Sequence, residues 1–543
     1  MGTLFAGGSV FDGHRHLPGH ALLVDDTTVL AVLTPDGLDT LDRGEHDVVD
    51  LAGGLVSPGF TDAHAHPIQG GLERMQCDLT DGGTREEYLA LVVQYADRFD
   101  GAWITGGGWQ MAAFPGGTPS AADLDSVVPD RPVLLHNRDH HGAWANSKAL
   151  ELAGISTQTP DPADGRIERL ADGAPQGTLH EGAVDLVAAL LPEISPQQYA
   201  AGLREGQAYL FSLGVTAWQD AIVGAYAGMA DTGSTYTDAI ASGDLVADVV
   251  GALWWDRELG LAQIPGLVER RAAQTGGRYR ATSVKIMQDG VCENFTAAML
   301  TPYLDPHGHV TDNDGHSFVE AEELKEVVVA LAAEGFQVHV HAIGDRGVRE
   351  ALDAFEPARA AGHGPDLRHH IAHLQVVHPD DVPRFAELGV AANAQALWAT
   401  HEPQMDQLTI PFLGDERSTW QYPFGGLTRA GARLVMGSDW PVSSPDPLAA
   451  IHTAVTRTAY DDPREAFLPE QSVDLATAFA AYTSGSAWVN GRDRVDGAGV
   501  LAPGNAADLA VLDRDPFRGP ADEIGAAAVV STWVGGRRVH ARG

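Results

Sequence analysis

The sequence predicts an α/β fold: a TIM-like (β/α)₈ barrel joined to a small β-sandwich domain. Strand-like and helix-like segments alternate through the middle of the chain, which is typical of a parallel sheet. Eight of these segments are strand-like, the strand count of such a barrel. Both chain ends are instead rich in short strands, and chain ends often lie close together. A doubly wound open sheet is the alternative. No Gly-x-Gly-x-x-Gly motif follows an early strand, however, which disfavours it.

The composition of the chain limits its partners and its compartment. The 543 residues include 74 acidic and 35 basic side chains, a formal net charge of −39. This field repels phosphate backbones and anionic lipids, so nucleic-acid and membrane-surface binding are disfavoured. Only Cys77 and Cys292 are present, which excludes a disulfide framework and fits a reducing compartment. No signal peptide and no apolar run of roughly 20 residues is visible, so we expect a soluble cytoplasmic protein.

The barrel strands are predicted in chain order, starting with the apolar run that ends in His64-Ala65-His66. Apolar helix-like runs, such as residues 321–333 and 380–388, separate most of them. The other seven predicted strands are residues 214–218, 247–253, 282–287, 336–341, 370–374, 389–395 and 433–437.

Three structural units follow from this order. Residues 1–56 and 490–543 are predicted to form a composite β-sandwich domain, and residues 57–489 the barrel. Roughly 145 residues separate strand 1 from strand 2, far more than an ordinary βα connection. We therefore predict an insertion subdomain at residues 70–205. Because it leaves the barrel from the end of strand 1, it should lie over the barrel mouth and form a lid or substrate wall.

His64 and His66 are the first candidate metal ligands. Side chains two apart on a strand point to the same face, so both imidazoles project together where the strand ends. Neutral imidazole is a common metal ligand, and the pair can form half of a metal site. A lone His-x-His motif is weak evidence, because two polar residues near a turn give the same pattern.

Further candidates follow other predicted strand ends, where the chemistry of such a barrel lies. Lys285 falls in strand 4, His341 in strand 5, His373 in strand 6, and Asp439 just after strand 8. Imidazoles and a carboxylate that converge on one mouth can hold one or two divalent cations. The sequence therefore predicts a metal site with the ligands His64, His66, His341, His373 and Asp439.

The same motifs resemble a known family. Residues 61–67 (TDAHAHP), 284–290 (VKIMQDG), 341–346 (HAIGDR) and 437–442 (GSDWPV) resemble the amidohydrolase superfamily. More narrowly, they are similar to its third group, the YtcJ-like metal-dependent hydrolases, which include N-substituted formamide deformylases. The resemblance runs from end to end. It includes residues 501–509, which resemble the strands that return to the β-sandwich.

The resemblance implies roles for the candidate ligands. His64 and His66 would bind the more buried metal, and His341 and His373 a second one, with zinc as the expected ion. Lys285 would be an N6-carboxylysine that bridges the two. Carboxylation requires a neutral amine, which burial favours by lowering the pKa of a lysine. The alternative for Lys285 is a salt bridge to a nearby carboxylate.

The predicted activity is hydrolysis of a carbon–nitrogen bond other than a peptide bond, in an amide, N-acyl or N-formyl small molecule. A metal-held hydroxide would attack the carbonyl. Asp439 would take the proton of the water and pass it to the leaving nitrogen. Two alternatives stay open: a mononuclear deaminase, and a non-catalytic scaffold of the same fold. A homodimer is a further open expectation.

Substrate contacts are predicted for four residues near the barrel mouth. Trp109, His141 and Glu181 lie in the predicted insertion, and Asp289 follows strand 4. The alternative for each insertion residue is a structural role that holds the insertion together.

Overall fold

The computed structural model describes residues 2–226, 228–363, 366–462 and 464–542, and it contains the predicted barrel. Eight parallel strands form one hydrogen-bonded sheet in chain order. All eight predicted strands are confirmed, with ends that shift by a few residues. They are Phe60–Ala65, Val215–Val223, Asp248–Trp254, Tyr279–Met287, Gln337–Ala342, His370–His373, Ala391–Ala394 and Leu434–Met436, here called barrel strands 1 to 8.

Barrel strand 5 shows how the sequence separates the two faces of the sheet. Val338 and Val340 belong to the large apolar core that the strands share with the surrounding helices. The alternate residues His339 and His341 are also buried, but they contact other histidines inside the barrel. This period of two places polar side chains in the barrel interior and apolar ones against the helices.

The barrel closes between strand 8 and strand 1, which stand at the two ends of the strand order. Asp439 N donates to His64 O at 2.7 Å, and His66 N donates to Trp440 O at 2.7 Å. Gly437 permits this approach, because a Cβ at that position would lie 2.5 Å from His64 N. We call this junction the seam. It places the residues after strand 8 directly beside the end of strand 1.

Helices surround the barrel, and two of them enclose the chain that forms the insertion. Pro67–Met75 follows strand 1, and Pro196–Ser212 precedes strand 2. The two helices touch through glycines, because a Cβ on Gly71 would lie 1.9 Å from Gly202 O. The other helices of the barrel are Gly233–Ser242, Ile264–Gln274, Ala321–Ala333, Asp345–Ala360, Val382–Leu388, Ile410–Leu413, Asp415–Ser418, Phe424–Arg429, Pro447–Thr456, Leu475–Ala480, Ser486–Val489 and Arg492–Val495.

The insertion has a sheet and apolar clusters of its own. Its predicted limits, residues 70 and 205, fall inside the two enclosing helices. The six strands, in spatial order, are Gly165–Arg169, Pro175–Glu181, Gly142–Ala145, Val133–Asn137, Ile104–Trp109 and Cys77–Asp78. Its helices are Arg85–Arg98, Ala121–Asp125, Ser147–Leu152 and Asp185–Ala188.

The chain ends form two further sheets, and both ends meet in the six-stranded one. In the six-stranded sheet, three C-terminal strands pair with three N-terminal strands at one junction. In spatial order the strands are Arg537–Ala541, Val529–Val534, Leu509–Leu512, Leu55–Pro58, Ser9–Phe11 and His16–Pro18. The four-stranded sheet comes entirely from the N-terminal end of the chain. In spatial order its strands are Thr28–Leu33, Ala21–Asp25, Thr3–Ala6 and Asp47–Asp50. The short helix Pro35–Asp39 lies in the chain between the first and the last of these strands. Residues 1 and 543 of the predicted sandwich lie outside the described residues.

A buried arginine ties the barrel to the sandwich. Arg492 Nη2 lies 2.7 Å from Asp508 Oδ2 and 2.6 Å from Asp496 Oδ2, and its Nε lies 3.5 Å from Asp248 Oδ1 in barrel strand 3. Within the described ranges, the helices are either too short or too polar to cross a lipid bilayer.

Candidate metal centre

All six predicted metal-site residues line one cavity of about 430 Å³ at the C-terminal ends of the barrel strands. The insertion supplies much of the opposite wall, through residues such as Trp103, Leu134 and His141. The expectation that the insertion lies at the barrel mouth therefore agrees with the lining of this cavity. The six residues are His64, His66, Lys285, His341, His373 and Asp439.

Three of the six come within shared coordination distance. Nε2 of His64 lies 3.0 Å from Asp439 Oδ1, and Nε2 of His66 lies 2.9 Å from the same oxygen. Ligand atoms of the three residues all lie within 4.8 Å of one another. The seam explains this convergence, because it fixes the backbone of Asp439 against that of His64.

Lys285 lies next to this trio in barrel strand 4. Its side chain is buried, and Nζ lies 3.4 Å from His64 Nε2. Burial lowers the pKa of Lys285 to about 7, while the charge of Asp439 opposes that shift. A large fraction of the amine is therefore neutral near pH 7, which is the form that can be carboxylated.

His341 and His373 form the other side of the centre. Their ring centroids are 4.4 Å apart, and His373 Nδ1 lies 4.0 Å from Asp439 Oδ2. His341 Nε2 lies 3.3 Å from Gly290 O, and the ring of His373 stacks on Trp398. Among the described residues, the trio within 4.8 Å does not include either of these two histidines.

Two of these residues have a strained backbone. His373 has φ 81° and Asp439 has φ 58°, both in the left-handed region that favours glycine. Such a conformation costs on the order of 1–3 kcal/mol and persists only where the surroundings enforce it. This conformation occurs at the end of strand 6 for His373 and just after strand 8 for Asp439, and both side chains line the cavity.

A chain of hydrogen bonds reaches the centre from the opposite end of the barrel. Gln337 Nε2 donates to Arg368 O at 2.9 Å and to Val489 O at 2.7 Å. Its Oε1 must therefore accept, and Gln219 Nε2 donates to it at 3.0 Å. These two carbonyls fix the orientation of both amides, an assignment that follows from the network itself.

The orientation of Gln219 then determines the tautomer of His64. Gln219 Oε1 accepts from His339 Nδ1 at 2.7 Å, so His339 Nε2 is an acceptor. His64 Nδ1 donates to that atom at 3.0 Å, which leaves His64 Nε2 with a free lone pair. We call this chain, Gln337–Gln219–His339–His64, the amide relay. It prepares His64 Nε2 to act as a ligand.

The donor set fits a divalent cation. The lone pair of His64 Nε2 faces Asp439 Oδ1 at 3.0 Å, and two acceptors at this distance require a positive charge between them. His373 Nδ1 is buried and finds no hydrogen-bond partner among the described residues. Burial also holds the pKa of His64, His341 and His373 below the ordinary value, so these imidazoles are neutral, as ligation requires.

Two of the predicted substrate contacts form an ion pair beside the centre. His141 Nδ1 lies 2.9 Å from Glu181 Oε2, and His141 lines the cavity 5.9 Å from the ring of His341. Burial lowers the pKa of His141, but the Glu181 carboxylate outweighs it and raises that pKa to about 9. Glu181 also accepts from Thr296 Oγ1 at 2.9 Å and so holds His141 in place.

The other two predicted contacts lie behind the cavity wall. Trp109 is buried in the insertion core, where its Nε1 donates to Leu135 O at 2.8 Å. This position favours the structural alternative. Asp289 is fully buried and accepts three backbone N–H bonds at 2.8 to 3.0 Å, from Ile343, Gly344 and Ala298. It fixes the loops after strands 4 and 5 beside His341.

The sequence reasoning missed several polar residues of the cavity. Gln69, Glu73 and His140 line it together with His66. Gln69 and Glu73 follow His66 by three and seven residues, a helical spacing that identifies one face of the helix Pro67–Met75. His140 carries no comparable signal, because its position depends on the fold of the insertion.

Comparison with known sequences identifies the family. Residues 47–540 match the sequence model described as the amidohydrolase family. The chain belongs to the amidohydrolase family. The match covers the barrel, the insertion and the C-terminal part of the sandwich, and it confirms the membership that the motifs predicted.

Three relatives of the amidohydrolase are similar over most of their length. The protein LONG AFTER FAR-RED 3 of Arabidopsis thaliana is 32% identical over 508 residues, covering 91% of this chain and 83% of that protein. "Putative amidohydrolase YtcJ" of Bacillus subtilis is 27% identical over 510 residues, 91% of each chain. N-substituted formamide deformylase of Arthrobacter pascens is 26% identical over 539 residues, 96% of this chain and 95% of that enzyme. The last two confirm the predicted YtcJ-like group.

A solved structure agrees with the fold of the amidohydrolase. The crystal structure of an uncharacterized metal-dependent hydrolase from Pyrococcus furiosus superposes with a TM-score of 0.70 at 26% identity. The alignment covers 95% of this chain and 100% of that one. The superposition supports the TIM-like barrel predicted for this chain.

Proposed function

We propose that this amidohydrolase hydrolyses the carbon–nitrogen bond of an N-substituted amide, in an N-formyl or N-acyl amine. One observation carries the proposal: Asp439 lies within 3.0 Å of both His64 Nε2 and His66 Nε2 on the wall of a cavity large enough for a small organic molecule. The similarity to an N-substituted formamide deformylase supports the choice of bond.

The chain supplies ligands for one or two divalent cations, with zinc as the expected ion. His64, His66 and Asp439 would hold the first, and His341 and His373 the second, with Lys285 between them. When bound, such a cation lowers the pKa of water toward neutrality and polarises a carbonyl group. Imidazole and carboxylate donors of this kind suit zinc.

Asp439 is the proposed proton carrier. Burial opposes its charge, but the hydrogen bond with His66 at 2.9 Å helps to hold the pKa of Asp439 well below the ordinary value. The carboxylate is therefore ionised at neutral pH. It can accept the proton of the attacking water and return it to the leaving nitrogen, as a general base and then a general acid.

Lys285 is the proposed site of carboxylation. Its burial, its pKa of about 7 and the distance of 3.4 Å between its Nζ and His64 Nε2 support an N6-carboxylysine at this position. The carbamate oxygens would be additional metal ligands. Labelled bicarbonate should yield a carbamate signal at Lys285 in the metal-loaded protein. An unmodified Lys285 together with one metal ion per chain would instead favour the mononuclear deaminase.

The cavity walls indicate the size and polarity of the substrate. Apolar side chains dominate the wall opposite the ligands, and a volume of about 430 Å³ accepts a ligand with an extended N-substituent. His141, held as a cation by Glu181, is placed to donate a hydrogen bond to the substrate. The apolar wall includes Phe99, Trp103, Leu134, Ile194 and Met229.

Replacement of Asp439 tests the proposal. Asp439→Asn should lower kcat on N-formyl and N-acyl amines by about 10²- to 10⁴-fold, because the amide cannot carry the proton. Metal content, measured by elemental analysis, should stay near the wild-type value. Asp446→Asn is the matched control, because asparagine keeps the helix cap that Asp446 makes to Leu448 N. Full activity of Asp439→Asn would refute the assigned role, and a wild-type protein without metal would favour the non-catalytic scaffold.

A further inference from the structure

Helix Pro67–Met75 presents a polar stripe to the cavity. His66 precedes the helix, and Gln69 and Glu73 follow at the spacing of one helix face. All three line the cavity. Seven residues at about 1.5 Å each place Glu73 roughly 10 Å beyond His66 along the helix axis. The stripe therefore runs from the metal centre toward the outer part of the cavity.

Glu73 has only neutral partners in the part of the chain that the structure describes. Gln69 Nε2 donates to its Oε1 at 2.9 Å, and His140 Nε2 lies 3.5 Å from the same oxygen. Burial lowers the pKa of His140 to about 4, so His140 is neutral at pH 7. Burial raises the pKa of Glu73 to about 8, against the hydrogen bond from Gln69. The Glu73 carboxyl group is thus mostly buried and lacks a cation that would keep it ionised at neutral pH.

Further acidic residues line the same cavity. Asp139 and Glu193 line it as well, whereas Lys285, at the metal centre, is the single lysine or arginine among the described lining residues. With a net charge of −39 on the whole chain, this region attracts cations and repels anions. Tyr95 and Phe99 on the insertion wall add aromatic surface, which also favours a cation.

We propose that Glu73 is a specificity-determining residue that binds an ammonium group on the N-substituent of the substrate, roughly 10 Å from the bond that is cleaved. This inference rests on the proposed function, because it places that bond beside His66. The preferred substrates are then mono-N-acyl or mono-N-formyl diamines, whose free amine is protonated at neutral pH. Gln69 holds the carboxylate in position through its bond to Oε1.

Two compounds of equal length test the proposal. Mono-N-formyl diaminoheptane carries an ammonium group at one end, and N-formyloctylamine carries a methyl group at the same position. A charged hydrogen bond corresponds to a preference of about tenfold or more. The wild-type kcat/KM should therefore be at least about tenfold higher for the diamine compound. In Glu73→Gln the ratio of the two kcat/KM values should fall to near one, through KM for the diamine compound.

Glu205→Gln is the matched control, because it removes the same charge from the neighbouring helix outside the cavity, where Glu205 pairs with Arg74. This variant should keep the wild-type ratio. A wild-type enzyme without preference for the diamine compound, or a preference that survives Glu73→Gln, overturns the proposal. If neither compound is hydrolysed, binding of both is measured by calorimetry. Preferential diamine binding that Glu73→Gln abolishes then supports the subsite and refutes the proposed function, whereas equal binding refutes the subsite.

Discussion

The imidazole of His64 depends on a partner 275 residues away in sequence. His339 accepts from its Nδ1, and Gln219 fixes the tautomer of His339 in turn. Interactions of this kind orient a ligand and raise its basicity, and they explain why the barrel interior contains polar side chains where a simple core would be apolar. A histidine at a strand end is therefore only part of a metal site.

Gln219→Leu should weaken metal binding. The variant removes the acceptor for His339 Nδ1, so His339 can change tautomer and His64 Nε2 is no longer kept free for a cation. We expect the dissociation constant for the metal, measured by competition with a chelator, to rise about 10- to 100-fold. Gln207→Leu is the control, because Gln207 is also buried but bonds Asp244 O and Val246 N away from the centre.

The control separates positioning from folding. Gln207→Leu should lower the thermal midpoint without changing the metal affinity of the folded protein. If both variants weaken metal binding equally, or if Gln219→Leu binds metal as tightly as the wild type, the amide relay has no role in ligation.

The sequence predicted which residues lie near the centre, but it did not predict the backbone conformations and hydrogen bonds that hold them there. Period-two alternation and strand ends were enough to place His64, His341 and Asp439 at one mouth. The positive φ angles of His373 and Asp439 carry no local sequence signal, because the surrounding fold enforces them. The predicted substrate contact of Trp109 failed for a different reason. An aromatic residue in the insertion can fill its core as readily as it can line the cavity, and Trp109 does the former.

The helices Pro67–Met75 and Pro196–Ser212 affect the site most directly, because the first of them lines the cavity and the second packs against it. The first helix starts at His66 and carries Gln69 and Glu73, and Gly71 lets the second helix approach to contact distance. On the same helix, Gly70 lies against the ring of Trp440, next to Asp439. The position of this helix therefore determines that of the proposed ligand His66 and of the cavity wall.

Gly71→Ala should disturb both stability and the metal centre. The added Cβ would lie 1.9 Å from Gly202 O, so the helices must move apart at a cost of about 1–3 kcal/mol. We expect a lower thermal midpoint and weaker metal binding, because His66 moves with its helix. Calorimetric scans with and without metal measure both effects.

Gly266→Ala provides the contrast. Gly266 lies in the helix Ile264–Gln274, and a Cβ there meets no atom within 4 Å among the described residues. This variant should be neutral or more stable by about 0.5–1 kcal/mol, since alanine loses less backbone entropy than glycine. A Gly71→Ala protein as stable as Gly266→Ala would show that the helix contact is not tight.

At the scale of elements the sequence predicted the barrel strands well, because strand-like segments with apolar residues facing the helices alternate with helix-like segments. The helix Ala321–Ala333 was predicted with the same ends. The insertion sheet was not predicted, because its short strands pair antiparallel and parallel across long stretches of sequence.

For the whole molecule, the seam links metal binding to barrel closure. Asp439 and His64 are proposed ligands and also form the backbone hydrogen bond that joins strand 8 to strand 1. A bound cation should therefore stabilise the closed barrel. At a concentration a hundredfold above its dissociation constant it adds about 3 kcal/mol.

Removal of the metal should lower the thermal midpoint and open the seam locally. We expect faster amide hydrogen exchange at Asp439 and His66 in the stripped protein, and little change between barrel strands 3 and 4 on the far side of the sheet. Uniform acceleration across all eight strands would contradict a local role, and an unchanged midpoint would show that the cation does not bind the folded chain.

The insertion and the barrel have separate hydrophobic cores, and this separation has a consequence for how such enzymes diversify. Mutations that reshape the wall around Tyr95 or Trp103 are absorbed by the two apolar clusters of the insertion, while the proposed ligands after the strands are supported by the barrel core. New substrates can therefore be acquired by drift or exchange of a single inserted segment, with the reactive chemistry inherited intact.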